Sequence, residues 1–243
     1  MSKSILITGA SGGIGAAVAE KFLAEGWQVG LLARRADALD AVRAGRANGH
    51  VLNADVSDPE AVEAAFAAFD AAVGQLDVLF NNAGIFVPAA MIDEVPVADW
   101  DRALAVNLTG MFLAARAAFG RMRRQDPAGG RIINNGSISA HVPREGAVCY
   151  TATKHAVTGL TRQLSLDGRP LGIACGQIDI GNARTELLEG IDAAARARGE
   201  PPTPMIETDA VADAVWSMAT LPLEANVQFM TLMATKMPYI GRG

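Results

Sequence analysis

A glycine-rich turn that directly follows the first apolar run limits the fold of this chain more than any other feature. Residues 5–7 predict a strand, residues 8–15 read Thr-Gly-Ala-Ser-Gly-Gly-Ile-Gly, and a helical pattern occupies about 14–25. Glycines let the backbone turn sharply and let a phosphate reach the N–H groups at the start of the helix. A turn between a strand and a helix favours nucleotide binding over a plain tight turn. The candidate contacts are Gly9, Ser11, Gly13, Ile14 and Gly15.

Strand-like and helix-like segments alternate along the rest of the chain. The predicted strands are 5–7, 29–33, 51–52, 76–80, 131–134, 173–178 and 227–232. The predicted helices are 14–25, 36–44, 59–72, 98–118, 147–166 and 209–219. This order predicts an α/β fold of Rossmann type, a doubly wound parallel sheet of about seven strands with helices on both faces. Ligands of such sheets bind at the carboxyl ends of the strands.

The length of 243 residues fits one large α/β domain or two small ones. The hydrophobic share of 50% and the charged share of 19% are typical of a folded globular protein. We predict a single Rossmann-type domain over residues 1–243. The segment 182–208 is polar and holds three prolines, so we predict that it forms a mobile, lid-like excursion over the sheet edge.

Charge and cysteine content exclude several classes of partner. The net charge is −5 and no Lys/Arg-rich run is present, which argues against nucleic acid or an anionic membrane surface. Two cysteines form neither a disulfide framework nor a four-ligand zinc site, so we expect no metal and a reducing, cytoplasmic location. No apolar run approaches about 18 residues and no signal peptide is evident, so we expect no membrane span.

The end of the second predicted strand bears on the choice of cofactor. NAD-binding proteins usually place an acid there, which binds the ribose 2′-hydroxyl. Here the strand runs into Arg34 and Arg35, and a guanidinium suits a 2′-phosphate. NADP(H) is therefore favoured over NAD(H). The alternative is that both arginines are solvated loop residues.

A tyrosine and a lysine lie one helical turn apart, at Tyr150 and Lys154. A nearby ammonium favours the phenolate and lowers the pKa of the phenol, so the pair can act as a general acid or base. A surface Tyr–Lys pair is the alternative. Ser137, thirteen residues before the tyrosine, follows the fifth predicted strand, where a hydroxyl can orient a carbonyl oxygen. Position alone does not separate it from Ser139.

Together these residues resemble the short-chain dehydrogenase/reductase family, in its single-domain, NADP-preferring branch, from Thr8 to about Thr185. Its motifs match Thr8, Gly9, Gly13 and Gly15, then Asp55-Val56, Asn81-Asn82-Ala83-Gly84, Asn107, Ser137, and Tyr150 with Lys154. The family's interval from serine to tyrosine selects Ser137 over Ser139.

The resemblance implies hydride transfer between a nicotinamide and a small-molecule carbonyl or alcohol, and a homotetramer or homodimer. Tyr150 would exchange the proton and Ser137 would orient the carbonyl. Lys154 would lower the pKa of Tyr150 and bind the ribose, while Asn107 would hold a water. The implied cofactor contacts are the turn residues, Arg34, Arg35, Asp55, Val56, Asn81, Ala83, Gly84, Tyr150, Lys154, Ile180, Gly181 and Thr185.

One stretch departs from the family pattern. In its Asn-x-x-x-Pro-Gly motif, Gly176 replaces the asparagine and Ile180 the proline, while Gly181 and Thr185 fit. Ile180 can still pack against the nicotinamide, although the rigid turn is lost. Asp179 adds a carboxylate that is either a structural cap or a substrate contact.

Substrate contacts are expected from residues 85–96, 138–147 and 182–208. Arg144 or Arg184 could anchor an acidic substrate, although the interpretation as solvated loop charges is favoured for both. His141 is interpreted as a loop residue.

Two alternatives to a carbonyl reductase remain: an NADP(H)-binding redox sensor with little turnover, and an epimerase or dehydratase with tightly held cofactor.

Overall fold

The computed structural model describes residues 2–199 and 201–240. Its strands are β1 (Ser4–Thr8), β2 (Gln28–Ala33), β3 (Gly49–Asn53), β4 (Val78–Asn81), β5 (Gly130–Asn135), β6 (Ile173–Ile180) and β7 (Phe229–Leu232). They form one seven-stranded sheet in the order β3-β2-β1-β4-β5-β6-β7, and every pair is parallel. The predicted sheet is therefore confirmed.

Eight helices cover the sheet in the described part of the chain. They are α1 (Gly13–Ala24), α2 (Ala36–Arg43), α3 (Pro59–Val73), α4 (Val97–Leu104), α5 (Met111–Arg124), α6 (Val148–Gly168), α7 (Glu186–Ala197) and α8 (Thr208–Thr220). Asp58 caps α3, since its carboxylate accepts from the backbone N–H groups of Glu60 and Ala61. Pro59 occupies the first helical position, where no backbone N–H is needed.

Two apolar cores lie on opposite faces of the sheet because successive side chains of a strand point to opposite sides. Ile5 and Ile7 of β1 belong to the core that includes Val215 of α8. Leu6, between them, belongs to the other core with Phe66 of α3. All five side chains are at most 1% exposed. Burial of both faces explains why the strands have continuous apolar runs rather than alternating ones.

The strand order reverses at β1, whose neighbours are β2 on one side and β4 on the other. Connections on the two sides of such a point run in opposite directions, so a crevice opens at the carboxyl ends of the strands. The glycine-rich turn after β1 lies at this crevice.

The predicted helix over 98–118 is interrupted in the structure. Residues Ala105–Gly110 form a π-helical turn between α4 and α5. Asn107 lies in this turn, only 1% exposed, where its side-chain amide accepts from the Ile85 N–H at 2.7 Å and donates to the Ile85 carbonyl at 2.9 Å. Such turns are common at functional sites. Apolar periodicity does not reveal one extra residue in a turn, so the sequence predicted an uninterrupted helix.

The segment 182–208 contains α7, which the sequence analysis missed. Thr185 caps this helix by accepting from the Leu188 N–H at 3.3 Å, and Glu186 and Glu189 lie in the first turn. A threonine followed by two acids is an ordinary helix-start pattern and could have revealed it. Whether the segment moves as a lid stays a prediction.

One helical run, Val97–Arg124, is long and apolar enough to cross a membrane by length and composition. Half of its most apolar window is buried inside the fold. Core helices of soluble proteins share this property.

Candidate active site

A cavity of about 490 Å³ opens at the carboxyl ends of the strands. Most residues that the sequence analysis selected line it. They are Gly9, Ser11, Gly13, Ile14, Arg34, Arg35, Asp55, Val56, Ala83, Gly84, Ser137, Tyr150, Lys154, Ile180, Gly181 and Thr185. Three selected residues do not line the cavity: Gly15, Asn81 and Asn107.

Gly15 serves the packing behind the cavity. A Cβ on this residue would lie 2.2 Å from the Gly9 carbonyl oxygen, so only glycine lets α1 approach the turn this closely. Gly9 itself has a φ of +70°, which also favours glycine. The hydroxyl of Thr8 accepts from the backbone N–H groups of Asn82 and Ala83 at 2.9 and 3.0 Å. The turn after β1 and the loop after β4 are thereby held together.

Asn81 also acts behind the cavity wall. Its amide donates to the Met111 carbonyl at 2.7 Å and to the side chain of Asn134 at 3.2 Å. It is 1% exposed. Its contacts tie β4 to β5 and α5, whereas cofactor contact by Asn81 stays a prediction.

Ser137, Tyr150 and Lys154 meet at one wall of the cavity. Ser137 lies two residues after the end of β5, and its hydroxyl lowers the pKa of the Tyr150 phenol by favouring the phenolate. Lys154 is 3% exposed, and its Nζ donates to the Asn135 carbonyl at 2.7 Å. The same Nζ lies 5.4 Å from the centroid of the Tyr150 ring. This effect on the phenol distinguishes Ser137 from Ser139, whose backbone N–H donates to the Ser137 hydroxyl at 3.1 Å.

The direction of the Tyr150 pKa differs from the sequence-based expectation. Burial raises the pKa of the phenol, and the Asp179 carboxylate raises it further, while the bond to Ser137 and the charge of Arg144 lower it in part. Burial also lowers the pKa of Lys154 to about 8, against the opposing effect of Asp179. The phenol is thus protonated at neutral pH, because burial destabilises the phenolate more than Ser137 and Arg144 stabilise it.

Asp179 is fully buried behind Ser137. Its Oδ1 accepts from the Ser137 backbone N–H at 2.9 Å and from Gln177 Nε2 at 2.7 Å. Its Oδ2 lies 2.8 Å from His141 Nε2. Asp179 does not line the cavity, so the interpretation as a structural cap is favoured over substrate contact. No local pattern connects Asp179 with His141, because the two residues lie 38 positions apart in the sequence.

The departures from the family pattern have local explanations. A Cβ on Gly176 would lie 2.0 Å from the Val227 carbonyl oxygen, so glycine lets the chain before β7 approach β6 closely. Ile180 lines the cavity and is 5% exposed. Packing of Ile180 against a bound nicotinamide stays a prediction.

The cavity at the switch point, with a glycine turn and a Ser–Tyr–Lys set along its wall, defines a nicotinamide-dependent oxidoreductase. The chain belongs to the short-chain dehydrogenase family, whose family model, described as short chain dehydrogenase, matches residues 3–196. It is an enzyme that acts on alcohol or carbonyl groups.

Individual relatives agree with this assignment. Serine 3-dehydrogenase of Agrobacterium fabrum is 30% identical over 245 residues, covering 99% of this chain and 97% of the relative. A solved serine dehydrogenase in its closed form, complexed with NADP+, has a TM-score of 0.89 at 27% identity and covers 99% of this chain and 98% of its own. A 3-ketoacyl-(acyl-carrier-protein) reductase from Brucella melitensis, complexed with NADH, has a TM-score of 0.86 at 26% identity, covering 95% and 96%.

Proposed function

We propose that this enzyme transfers a hydride between NADP(H) and a small molecule that carries a carbonyl or a secondary alcohol, with Tyr150 as general acid or base. The observation that carries the proposal is the convergence of Ser137, Tyr150 and Lys154 at one wall of the cavity. The nicotinamide, when bound, supplies or accepts the hydride. The protein supplies the proton, the orientation of the reacting oxygen and the exclusion of water.

In the direction of reduction, the protonated phenol of Tyr150 donates its proton to the carbonyl oxygen. The raised pKa of the phenol suits a donor that is protonated at neutral pH. The Ser137 hydroxyl offers a second hydrogen bond to the same oxygen and holds it beside the phenol. The ammonium of Lys154, at 5.4 Å from the ring, stabilises the phenolate that remains.

The test is oxidation of NADPH by the purified protein against a panel of aldehydes, ketones and 3-oxoacyl thioesters. Turnover of some members supports the proposal, and the best substrates define its class. The matching alcohols with NADP+ test the reverse direction. Tight NADPH binding without turnover in either direction would instead favour a sensor or a non-redox reaction.

We further propose that Arg34 and Arg35 give the enzyme its preference for NADP(H). Both line the cavity beside Asp55, at the end of β2. Asn53 Nδ2 donates to the Arg34 carbonyl at 2.7 Å, which holds the backbone here. The Arg34 side chain is 71% exposed, and its Nη1 lies 4.0 Å from Asp55 Oδ2. A guanidinium so placed can reach a 2′-phosphate.

We expect Arg34→Glu to lower the ratio of kcat/KM with NADPH to that with NADH by about 100-fold, because a favourable ion pair with the 2′-phosphate becomes a repulsion. Steady-state kinetics with both cofactors measure this ratio. Arg46→Glu is the matched control, since Arg46 is exposed and does not line the cavity. An unchanged ratio in Arg34→Glu would refute the role of this arginine.

We propose a homotetramer or homodimer in solution. The edge strand β7 leaves Phe229 40% exposed, and Leu166 of α6 is 54% exposed. A second copy would cover apolar surface of this kind. We expect light scattering at micromolar concentration to give the mass of a dimer or tetramer, and a monomer would contradict the proposal.

The two cysteines are free and buried, and we propose a cytoplasmic location.

A further inference from the structure

Part of the cavity wall is not explained by a nicotinamide cofactor. This part, the substrate end, is formed by Phe86, Ser139, Arg144, Ala147, Leu188 and Ile191. The ring of Phe86 stacks on that of Tyr150, with centroids 4.2 Å apart and planes at 18°. The substrate end therefore adjoins the proton donor, and its surface is mostly apolar.

Arg144 is the exception in this apolar surface. It is the only cation among the described residues of the substrate end. Its Nη2 donates to the side-chain oxygen of Asn182 at 2.8 Å. Asn182 is 6% exposed and in turn donates to the Pro204 carbonyl at 3.3 Å. Arg144 is exposed at the cavity wall, and its guanidinium is held there by a partner that is itself anchored.

The charge of Arg144 reaches the reacting group, since it lowers the pKa of the Tyr150 phenol against the larger effect of burial. Glu186 also lines the cavity, at the first turn of α7, where N–H groups of the helix end partly balance its charge. A planar guanidinium can bind a carboxylate or sulfonate through two parallel hydrogen bonds.

Arg184, the other arginine that the sequence offered as an anchor, is placed differently. Its Nε lies 2.8 Å from Glu207 Oε1 and its Nη1 lies 3.4 Å from Glu189 Oε1. It does not line the cavity. The structure thus places Arg144 at the cavity and Arg184 away from it, a distinction that the sequence did not allow.

We propose that Arg144 is a specificity-determining residue that selects carbonyl substrates carrying an anionic group, a carboxylate or a sulfonate, close to the reacting carbon. The anion binds the guanidinium, while the apolar side chains of Phe86 and Leu188 surround the short chain between the two groups. This inference rests on the proposed function, because it concerns the substrate of the same site.

The test compares each anionic carbonyl with its neutral ester: acetoacetate and its methyl ester, and succinate semialdehyde and its methyl ester. We expect the wild-type enzyme to show kcat/KM about 30-fold higher for the acid. Arg144→Gln should lower kcat/KM for the acid by about 100-fold, chiefly through KM, and for the ester by less than about 3-fold. Arg144→Lys should fall between, since it keeps the charge and loses the planar fork.

Arg184→Gln is the matched control and should leave both values within about 2-fold. NADPH binding, measured by its fluorescence, should be unchanged in Arg144→Gln and shows that the variant is folded. Equal kcat/KM for acid and ester in the wild type, or an equal loss for both in Arg144→Gln, overturns the inference. In that event the proposed function still stands if neutral carbonyls are reduced and depend on Tyr150. Turnover that is independent of Tyr150 would overturn the proposed function instead.

Discussion

Tyr150→Phe should lose about a thousand-fold in kcat while NADPH affinity stays within a few-fold, as expected for removal of a general acid. The substitution removes only the hydroxyl that would donate the proton. The ring, which stacks on Phe86 at 4.2 Å, remains and preserves the packing of the wall. Single-turnover reduction of the best carbonyl with bound NADPH measures the chemical step directly.

The matched control is Tyr239→Phe, because these two are the only tyrosines in the chain. It lies outside the residues that line the cavity, and we expect wild-type rates. A Tyr150→Phe enzyme with more than about a tenth of the wild-type rate would mean that another group moves the proton.

Asp179→Asn should lower kcat by about ten- to a hundred-fold and move the alkaline limb of the pH profile to lower pH. The carboxylate accepts from the Ser137 N–H at 2.9 Å and from Gln177 at 2.7 Å, and it adjoins His141 at 2.8 Å. An amide can accept from some of these donors, but its own NH₂ group then faces another donor. Ser137 would lose part of the contact that positions it.

The sign of the pH effect follows from the charge that is removed. A negative carboxylate near Tyr150 and Lys154 raises the pKa of both groups. Its loss therefore lowers both. The pKa of Lys154, about 8 in the wild type, falls below that value, and the proposed mechanism of reduction needs a protonated phenol and a charged lysine. The profile of kcat/KM between pH 6 and about 10 tests this.

Asp179 has two effects: it positions Ser137 through hydrogen bonds, and its charge raises the pKa of Tyr150 and Lys154. His141→Gln serves as a comparison, since it keeps a hydrogen-bond donor to Asp179 and leaves the carboxylate in place. We expect its alkaline limb to coincide with that of the wild type. A limb that does not move in Asp179→Asn, together with a lower kcat, would reduce the role of Asp179 to positioning alone.

Much of this fold could be predicted from local patterns. Short apolar runs bounded by glycine or by helix-start residues located the strands, because strands buried on both faces must be apolar throughout. The structure explains the glycine pattern of the turn, because a positive φ favours glycine at Gly9 and close packing against the Gly9 carbonyl requires it at Gly15. Tyr150 and Lys154 could be paired because four residues span about one turn of a helix.

The features that the sequence analysis missed depend on partners that are far apart in the chain or on small changes of helical geometry. The π-helical turn adds one residue to an otherwise regular pattern, and Asn107 finds its partner in Ile85, which lies in a different loop. The helix α7 was hidden by the polar composition of its segment. Its start at Thr185 was visible, but its polar surface suggested a loop.

The sequence by itself determined the class of fold, the place of the glycine-rich turn after β1 and the pairing of Tyr150 with Lys154 on one helix, because each depends on neighbours within one turn or one strand. Tertiary structure alone decided the role of Asp179. Parallel pairing sets Asn135 opposite Ile178, so the next residues, Gly136 and Asp179, lie side by side. A Cβ on Gly136 would lie 2.1 Å from Asp179 Oδ1, so only glycine leaves room for that carboxylate. The choice between Arg144 and Arg184 was likewise tertiary, because both are arginines in polar loops and only their packing places one of them in the cavity.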